Sequence, residues 1–501
     1  MSELVQQLPA VPVPRPARPL RRVRRGTYFG PRFWMAVIVA ASALWIVLAE
    51  PKARVILAPA LTMVDAAAIF ILVLYRRDRR LPVFEVGTLW VFVTLIYSVF
   101  PLLNFYVGGL QWTMFSDSRL QGWGPDAYET GAFAWRYVVY LLPFTIAYLL
   151  VRGRAHVTHT KMNRVSRSRV VAVIIVFVAC KLVLVAVARV YGISYNPSYA
   201  DLATQSVDTL AALPLILQQV IHWFVSYRLL LLQMLLIIAM QRWRDWRYRI
   251  AIFAFLAFQI GVTLYVRGAR TELTLLLITA VLMYHRLVRP LTLKVAIPAA
   301  AGLLLAFNLL GLLRDSDYMR VVRSYGVPSL ATVNEFQIVW GTSYDIYMRK
   351  QLGVLGPVPR QLPFSDLYFM VPSQLLPFEK IDPAIWYMGV AGYDTNSGGL
   401  MFGVVSHAIL GYDWKELIAR SILLGVLAAL LHRWYVKRAE RFWPMVLYMF
   451  ICIWTYYGMR QSSFAILSFL EYEFVPVFLG VELTSVLLRG AHRRARGLMR
   501  A

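Results

Sequence analysis

The sequence predicts an all-α, polytopic integral membrane bundle of about 12 transmembrane helices, and three observations lead to it. Hydrophobic residues make up 59% of the 501 and charged residues only 16%, against roughly 25% charged in soluble domains. The apolar residues fall in runs of 17 to 25, long enough to cross a hydrocarbon layer of ~30 Å at a rise of about 1.5 Å per residue. Short basic clusters separate those runs in alternation with acidic or neutral loops, which is how positive charge retains a loop in the cytoplasm. Only helices and closed barrels satisfy their backbone in lipid, and runs this long and uninterrupted specify helices.

The elements follow in order. Residues 1–32 carry seven arginines from Arg15 to Arg32 and several prolines, with no apolar core and no cleavage-like site. They read as a disordered basic cytoplasmic tail rather than a signal peptide. Residues 33–313 form the first part of the bundle, with spans 1–9 expected to begin near Phe33, Val55, Val83, Gly131, Val170, Pro214, Ile250, Glu272 and Val295. The turn at Glu50–Arg54 is expected outside and the RRDRR linker at Arg76–Arg80 inside. Loop Val107–Thr130, with one Arg against three acids, falls outside, and Arg152–Arg169, with six basic residues and no acid, falls inside. Gly192–Thr209 holds two Asp and no basic residue, and Arg242–Arg249 holds four Arg, so the alternation continues.

Residues 314–398 contain no spanning run. These 85 residues hold seven basic and eight acidic side chains with many Pro, Tyr and Phe. Loops of this length in a compact protein are uncommon and often functional, and short helices over the outer mouth of the bundle are expected. The apolar stretch Gly399–Gly411 would span only ~20 Å as a helix, and counting it as a crossing would put the basic clusters Arg433–Arg441 and Arg489–Arg500 outside. Residues 399–412 are therefore expected to form a short re-entrant or interfacial helix on the outer side. Spans 10–12 occupy 413–488, beginning near Leu417, Trp443 and Phe464, and 489–501 form a second basic cytoplasmic tail.

The net charge of +26 lies in these inter-span clusters, which argues against nucleic acid as a partner and for membrane lipids, whose anionic headgroups attract juxtamembrane Lys and Arg. Cys180 and Cys452 lie inside hydrophobic runs, so neither a disulfide framework nor a cysteine metal site is expected. No GxxxxGK[ST] loop, no GxGxxG after a strand and no His/Cys cluster at metal spacing occurs, so no cofactor or metal is expected. An ATP-driven pump and a nucleotide-sugar enzyme with a soluble domain are argued against on the same ground.

Candidate chemistry gathers at the outer side. In YVRGARTEL, Tyr265–Leu273, Arg267 and Arg270 stand beside a helix start expected to be capped by Thr271. Guanidinium forks and free N–H groups at a positive helix end suit a phosphate or diphosphate, although a pair of arginines can also simply mark a tight hairpin. Arg314, Arg320 and Arg323 follow the ninth span, and Glu335, Asp345, Arg360, Asp366, Asp382 and Asp394 follow them. As a set they offer cations for an anionic head group and carboxylates for sugar hydroxyls; singly, most are expected to be solvated surface. His407 lies in the apolar stretch TNSGGLMFGVVSHAILGYDW. A lone histidine on an apolar helix is usually a satisfied core residue, but beside this loop it becomes a candidate general base. Within the bundle Asp65, Lys181, His222, Arg228, Arg460, Glu471 and Glu473 are costly to bury and must face partners or water. Arg460 and Glu471 are secondary candidates, and a structural salt bridge is the competing reading for them.

The stretches GARTELTLL (Gly268–Leu276) and SGGLMFGVVSHAILGYDW (Ser397–Trp414), with the large late loop, make the chain similar to the Wzy-type polymerases of bacterial oligosaccharide repeat units, which are related to the O-antigen ligases. The late motif departs from the family pattern, since His407 stands where an acidic residue is typical. The resemblance implies an enzyme of the bacterial inner membrane with both termini cytoplasmic. It implies transfer of a glycan from polyprenyl diphosphate to the non-reducing end of another lipid-linked repeat unit, without metal or cofactor. Arg267, Arg270 and Arg314 would hold the diphosphate, with Arg320 and Arg323 in reserve, and His407, Glu335 or Asp394 would take the proton. A chain-length regulator and a flippase are possible partners. The alternatives are an O-antigen ligase or another lipid-linked-sugar transferase, a transporter or flippase of lipid-linked oligosaccharide, and a scaffold subunit.

Overall fold

A computed structural model describes residues 31–78, 84–108, 126–154, 162–190, 215–266, 270–291, 295, 298, 302, 335–371, 375–392 and 401–498. Among these residues all regular structure is helical and no strand occurs. The helices are α1 (Pro31–Leu48), α2 (Pro51–Asp78), α3 (Val86–Gly108), α4 (Ala127–Arg152), α5 (Arg167–Val190), α6 (Leu215–Met240), α7 (Trp246–Val266) and α8 (Arg270–Met283), which widens into a π turn at Tyr284–Val288. After these come α9 (Glu335–Gln351), α10 (Ser365–Tyr368), α11 (Pro383–Ala391) and α12 (Val404–Leu410). The chain closes with α13 (Trp414–Val436), α14 (Phe442–Gln461), α15 (Ser463–Phe469), a π turn at Leu470–Phe474 and α16 (Val475–Leu498).

Each expected span except that beginning at Val295 coincides with a described helix; of that one only Val295, Pro298 and Gly302 are described, each in helical conformation. Among the described residues six segments are long and apolar enough to cross a membrane: Pro51–Asp78, Val86–Leu103, Ala127–Arg152, Arg167–Val187, Phe442–Gln461 and Ala465–His492. α5 exposes Val171, Ile174, Ile175, Val178, Leu182 and Val185, an apolar surface that only lipid or another apolar partner can cover favourably. Two boundaries differ from expectation. α2 begins at Pro51, because proline fits the first helical position where its missing N–H is not needed, so the expected turn at Glu50–Arg54 is already helix beyond Glu50. α8 begins at Arg270, which places Thr271 inside the first turn rather than at the cap.

α4 is the axis of the larger packing group. It lies against α2 and α13, while α3 packs on α2 and α14. Glycines allow the close approaches: a Cβ on Gly425 of α13 would fall 2.6 Å from the Phe144 carbonyl oxygen of α4, and one on Gly131 of α4 would fall 2.5 Å from the Val55 carbonyl oxygen of α2. Small residues at such contacts are what lets helices in lipid pack closely. A second group joins α5, α6 and α16.

Two buried polar clusters mark opposite ends of α4 and α13. At the far end Arg152 pairs with both Asp78 and Glu85, with Nη2 2.9 Å from Glu85 Oε2. Tyr148 donates to Glu85 Oε1 at 2.6 Å, and the Tyr448 hydroxyl lies 2.7 Å from His432 Nδ1 while accepting from the Val86 N–H at 3.0 Å. This cluster ties the end of α2 to the start of α3. Arg136, in the third turn of α4, belongs to the other cluster, about 24 Å along the helix from Arg152.

Candidate functional site

The late loop folds onto that other end. α9 presents Phe336, Trp340, Tyr344 and Tyr347 on one face, and they pack on the bundle: Trp340 stands 4.7 Å from Phe133 of α4 and Phe336 stands 5.0 Å from Tyr97 of α3 between ring centroids. Asp345, on the same helix, is buried; the Tyr387 hydroxyl of α11 donates to it, and Arg349 Nε lies 3.1 Å from each of its oxygens. α11 starts on Asp382, whose carboxylate caps the Ala384 and Ile385 N–H groups at 2.7 and 3.2 Å.

Of the Gly399–Gly411 stretch, only Val404–Leu410 is described as helix, about 10 Å long at helical rise, so α12 does not span. Gly403 precedes it because a Cβ there would fall 2.2 Å from the Met459 carbonyl oxygen of α14. The α12 carbonyls at its C-terminus are taken by Lys350, whose Nζ donates to Ile409 O at 2.7 Å and Gly411 O at 2.5 Å. A cation at the negative end of a helix is favourable, and burial lowers the Lys350 ammonium below its ordinary pKa.

Arg420, one turn into α13, is the hub of the site. Its Nε donates to Glu416 Oε1 at 2.6 Å, Nη1 to Asp366 Oδ2 and to Ser463 Oγ at 3.0 Å, and Nη2 to Pro363 O at 2.7 Å. Nη2 also lies 3.2 Å from His407 Nε2. The remaining Glu416 oxygen accepts from the Tyr412 N–H at 2.9 Å. Beside the hub, Arg136 Nη2 lies 3.2 Å from Asp413 Oδ2, and its guanidinium stands 4.2 Å from the Tyr347 ring and 4.5 Å from the Trp414 ring. Asp413 holds a positive φ of 51°, a conformation that Asp tolerates better than most residues.

His407 is fully buried. Nδ1 lies 2.8 Å from Ser462 Oγ, and Nε2 lies 3.0 Å from Leu362 O and 3.1 Å from Ser365 Oγ. Burial first, and the Arg420 charge second, push the imidazole down to about 4, so the ring is neutral at pH 7. Nε2 faces a carbonyl that only accepts and a guanidinium that only donates, so the tautomer decides which contact is a hydrogen bond. Enclosed this way, His407 holds the Leu362–Ser365 segment against the bundle.

The other sequence candidates are placed as follows. Arg267, Arg314, Arg320, Arg323 and Asp394 lie outside the described residues; Arg270 opens α8 and Glu335 opens α9, with their side chains outside the described set. Arg460 sits at the end of α14, two residues before Ser462, with its guanidinium 5.4 Å from the Tyr457 ring. Glu471 lies in the π turn, where its Oε2 is buried and no described residue hydrogen-bonds it. Among the described residues no group of three His, Cys, Asp or Glu is arranged to hold a metal.

No family model, curated protein or solved structure matches this chain. The site therefore stands on its own geometry. Sequence reasoning passed over Arg420 and Arg136. Their signal was nonetheless present: an arginine within an apolar span, and at Arg420 a Glu one helical turn before it.

Proposed function

We propose that this protein is a membrane glycosyltransferase that polymerises polyprenyl-diphosphate-linked oligosaccharide repeat units on the outer face of the bacterial inner membrane. The observation that carries the reading is the docking of the late loop onto the bundle through one buried ionic assembly, Asp366–Arg420–Glu416 with His407 and Ser463. Buried charges at such a density are expensive unless paired, and polar groups fixed this rigidly between a bundle and its loop are what preorganised catalysis uses.

In this reading the acceptor sugar hydroxyl attacks the anomeric carbon of the donor glycan, and the diphosphate leaves on its lipid. Arg267, Arg270 and Arg314 hold the diphosphate, while Arg420 is committed to its five protein partners and serves to position. His407, neutral and enclosed, positions as well. Both termini lie in the cytoplasm, the basic clusters face inward, and a chain-length regulator and flippase work beside the enzyme.

The test is gel analysis of surface glycan from a strain lacking the protein, complemented with wild type or Arg270→Ala. A deletion that stops glycan at one repeat unit, restored to a ladder by wild type and not by R270A, supports the reading. The R270A defect is expected to be on the order of a hundredfold in rate. Long polymer left on its lipid in the deletion strain makes the protein a ligase, and single units held at the cytoplasmic face make it a flippase.

A further inference from the structure

Asp366 is a carboxylate with one oxygen employed and the other idle. Oδ2 accepts from Arg420 and from Ser463 Oγ, the latter at 2.9 Å. Oδ1 is buried, and no described residue donates to it. Leaving a buried acceptor unfilled costs about 1–3 kcal/mol, and an ionised carboxylate can only accept, so the group that completes this site is a donor. Resting on the glycosyl-transfer reading, we infer that Asp366 is the general base, and that the donor it awaits is the hydroxyl of the acceptor sugar.

The step balances without a further reactant. The acceptor oxygen forms its bond to the anomeric carbon as the bond from that carbon to the phosphate oxygen breaks. The electron pair leaves with the diphosphate, and the hydroxyl proton moves to Asp366 Oδ1, from which it later returns to solvent.

Three features single out Asp366. The segment carrying it is pinned from beneath, because Leu362 O and Ser365 Oγ contact His407 and Pro363 O accepts from Arg420; the carboxylate is thus preorganised. Phe364 and Leu367, two residues before it and one after, are 53% and 64% exposed, so the segment presents apolar surface beside the fixed carboxylate. Charge balance is the third. Arg420 serves two carboxylates, Asp366 and Glu416, so an arriving proton brings that set to neutrality.

Two neighbouring carboxylates fit less well. Glu416 has both oxygens engaged. Asp413 also has an idle buried oxygen, but Arg136 pairs with it one to one, so a proton arriving there leaves that pair positive.

The experiment uses membrane vesicles containing the full chain and, as probe, lipid-linked repeat unit extracted from the strain lacking the protein. Elongation is measured at pH 7 for wild type, Asp366→Asn, Asp366→Glu, Asp413→Asn, Glu335→Gln and Asp394→Asn. Asn keeps an oxygen for Arg420 and Ser463 and replaces only the idle acceptor. D366N is expected to lose 10²- to 10⁴-fold in rate, with its thermal midpoint within a few degrees of wild type. D366E is expected to recover part of the rate. D366N within about threefold of wild type overturns the assignment, as does a loss of that size in D413N, E335Q or D394N instead. Should D366N fail to insert, D366E decides alone: no more elongation than vesicles lacking the protein overturns the proposal. Wild-type vesicles that fail to elongate the probe would count against the polymerase reading itself, a result separate from any of these.

Discussion

An imidazole with no solvent exposure and a guanidinium 3.2 Å from its Nε2 loses more by taking a proton than it gains, and the consequence reaches beyond catalysis. His407 titrates at about 4 when folded against an ordinary 6.5, so between those values the unfolded chain binds a proton that the folded one does not. The stability contributed by the neutral ring is complete above pH 6.5, falls as pH drops through that window, and amounts to about 3 kcal/mol across it. The melting temperature of wild type in detergent is therefore expected to drop between pH 6.5 and 4 by more than that of His407→Gln. Parallel curves for the two proteins would show that the ring is not held neutral. The same residue shows what a sequence does and does not disclose. Its position on an apolar helix was legible, and so were its two competing roles. What encloses the ring, Leu362 and Arg420, arrives from different parts of the chain, and no local pattern encodes that meeting.

Helices were the most legible elements, for a reason specific to lipid: a backbone without water must hydrogen-bond to itself, so a long apolar run has one solution. α9 was legible in part. Phe336, Trp340, Tyr344 and Tyr347 recur at helical spacing, yet nothing in that spacing says that the face turns onto Phe133 and Tyr97. Ends were read less well, as α2 and α8 show, because caps and first turns depend on single residues. The glycine contacts were equally hidden, since a glycine in an apolar run looks the same whether a carbonyl or open space faces it. That contrast is measurable. Gly425→Ala and Gly131→Ala place a Cβ 2.6 and 2.5 Å from backbone oxygens of neighbouring helices, which backbone cannot relieve without moving a helix. Each is expected to cost about 1–3 kcal/mol. Gly261→Ala in α7 meets nothing within 4 Å and is expected to be neutral or to stabilise by about 0.5–1 kcal/mol. Equal thermal shifts for the three variants would mean that these close approaches do not carry the packing.

At the scale of the whole molecule, α4 and α13 each join the two polar clusters across an apolar middle. The spacing of about 24 Å along α4, with the cluster side chains reaching beyond it, is of the order of a hydrocarbon core of ~30 Å. On the proposed topology the Arg152–Glu85–Asp78 cluster lies at one interface and the Arg420–Asp366 cluster with its docked loop at the other. The basic turns argue that the first is cytoplasmic. Both cysteines, Cys180 and Cys452, are buried, which leaves a low background for labelling single introduced thiols in otherwise wild-type protein. Arg360, in the loop between α9 and α10, and Lys437, just after α13, are exposed and report on the two sides. In intact cells stripped of their outer barrier, a membrane-impermeant maleimide is expected to label Arg360→Cys at once and Lys437→Cys only after permeabilisation. The reverse pattern would invert the orientation and place the site, with its loop, in the cytoplasm, where a diphosphate-linked repeat unit awaiting export could not be polymerised on the outer face. Labelling of both without permeabilisation would put the two clusters on one side and undo the assignment of α4 and α13 as crossings.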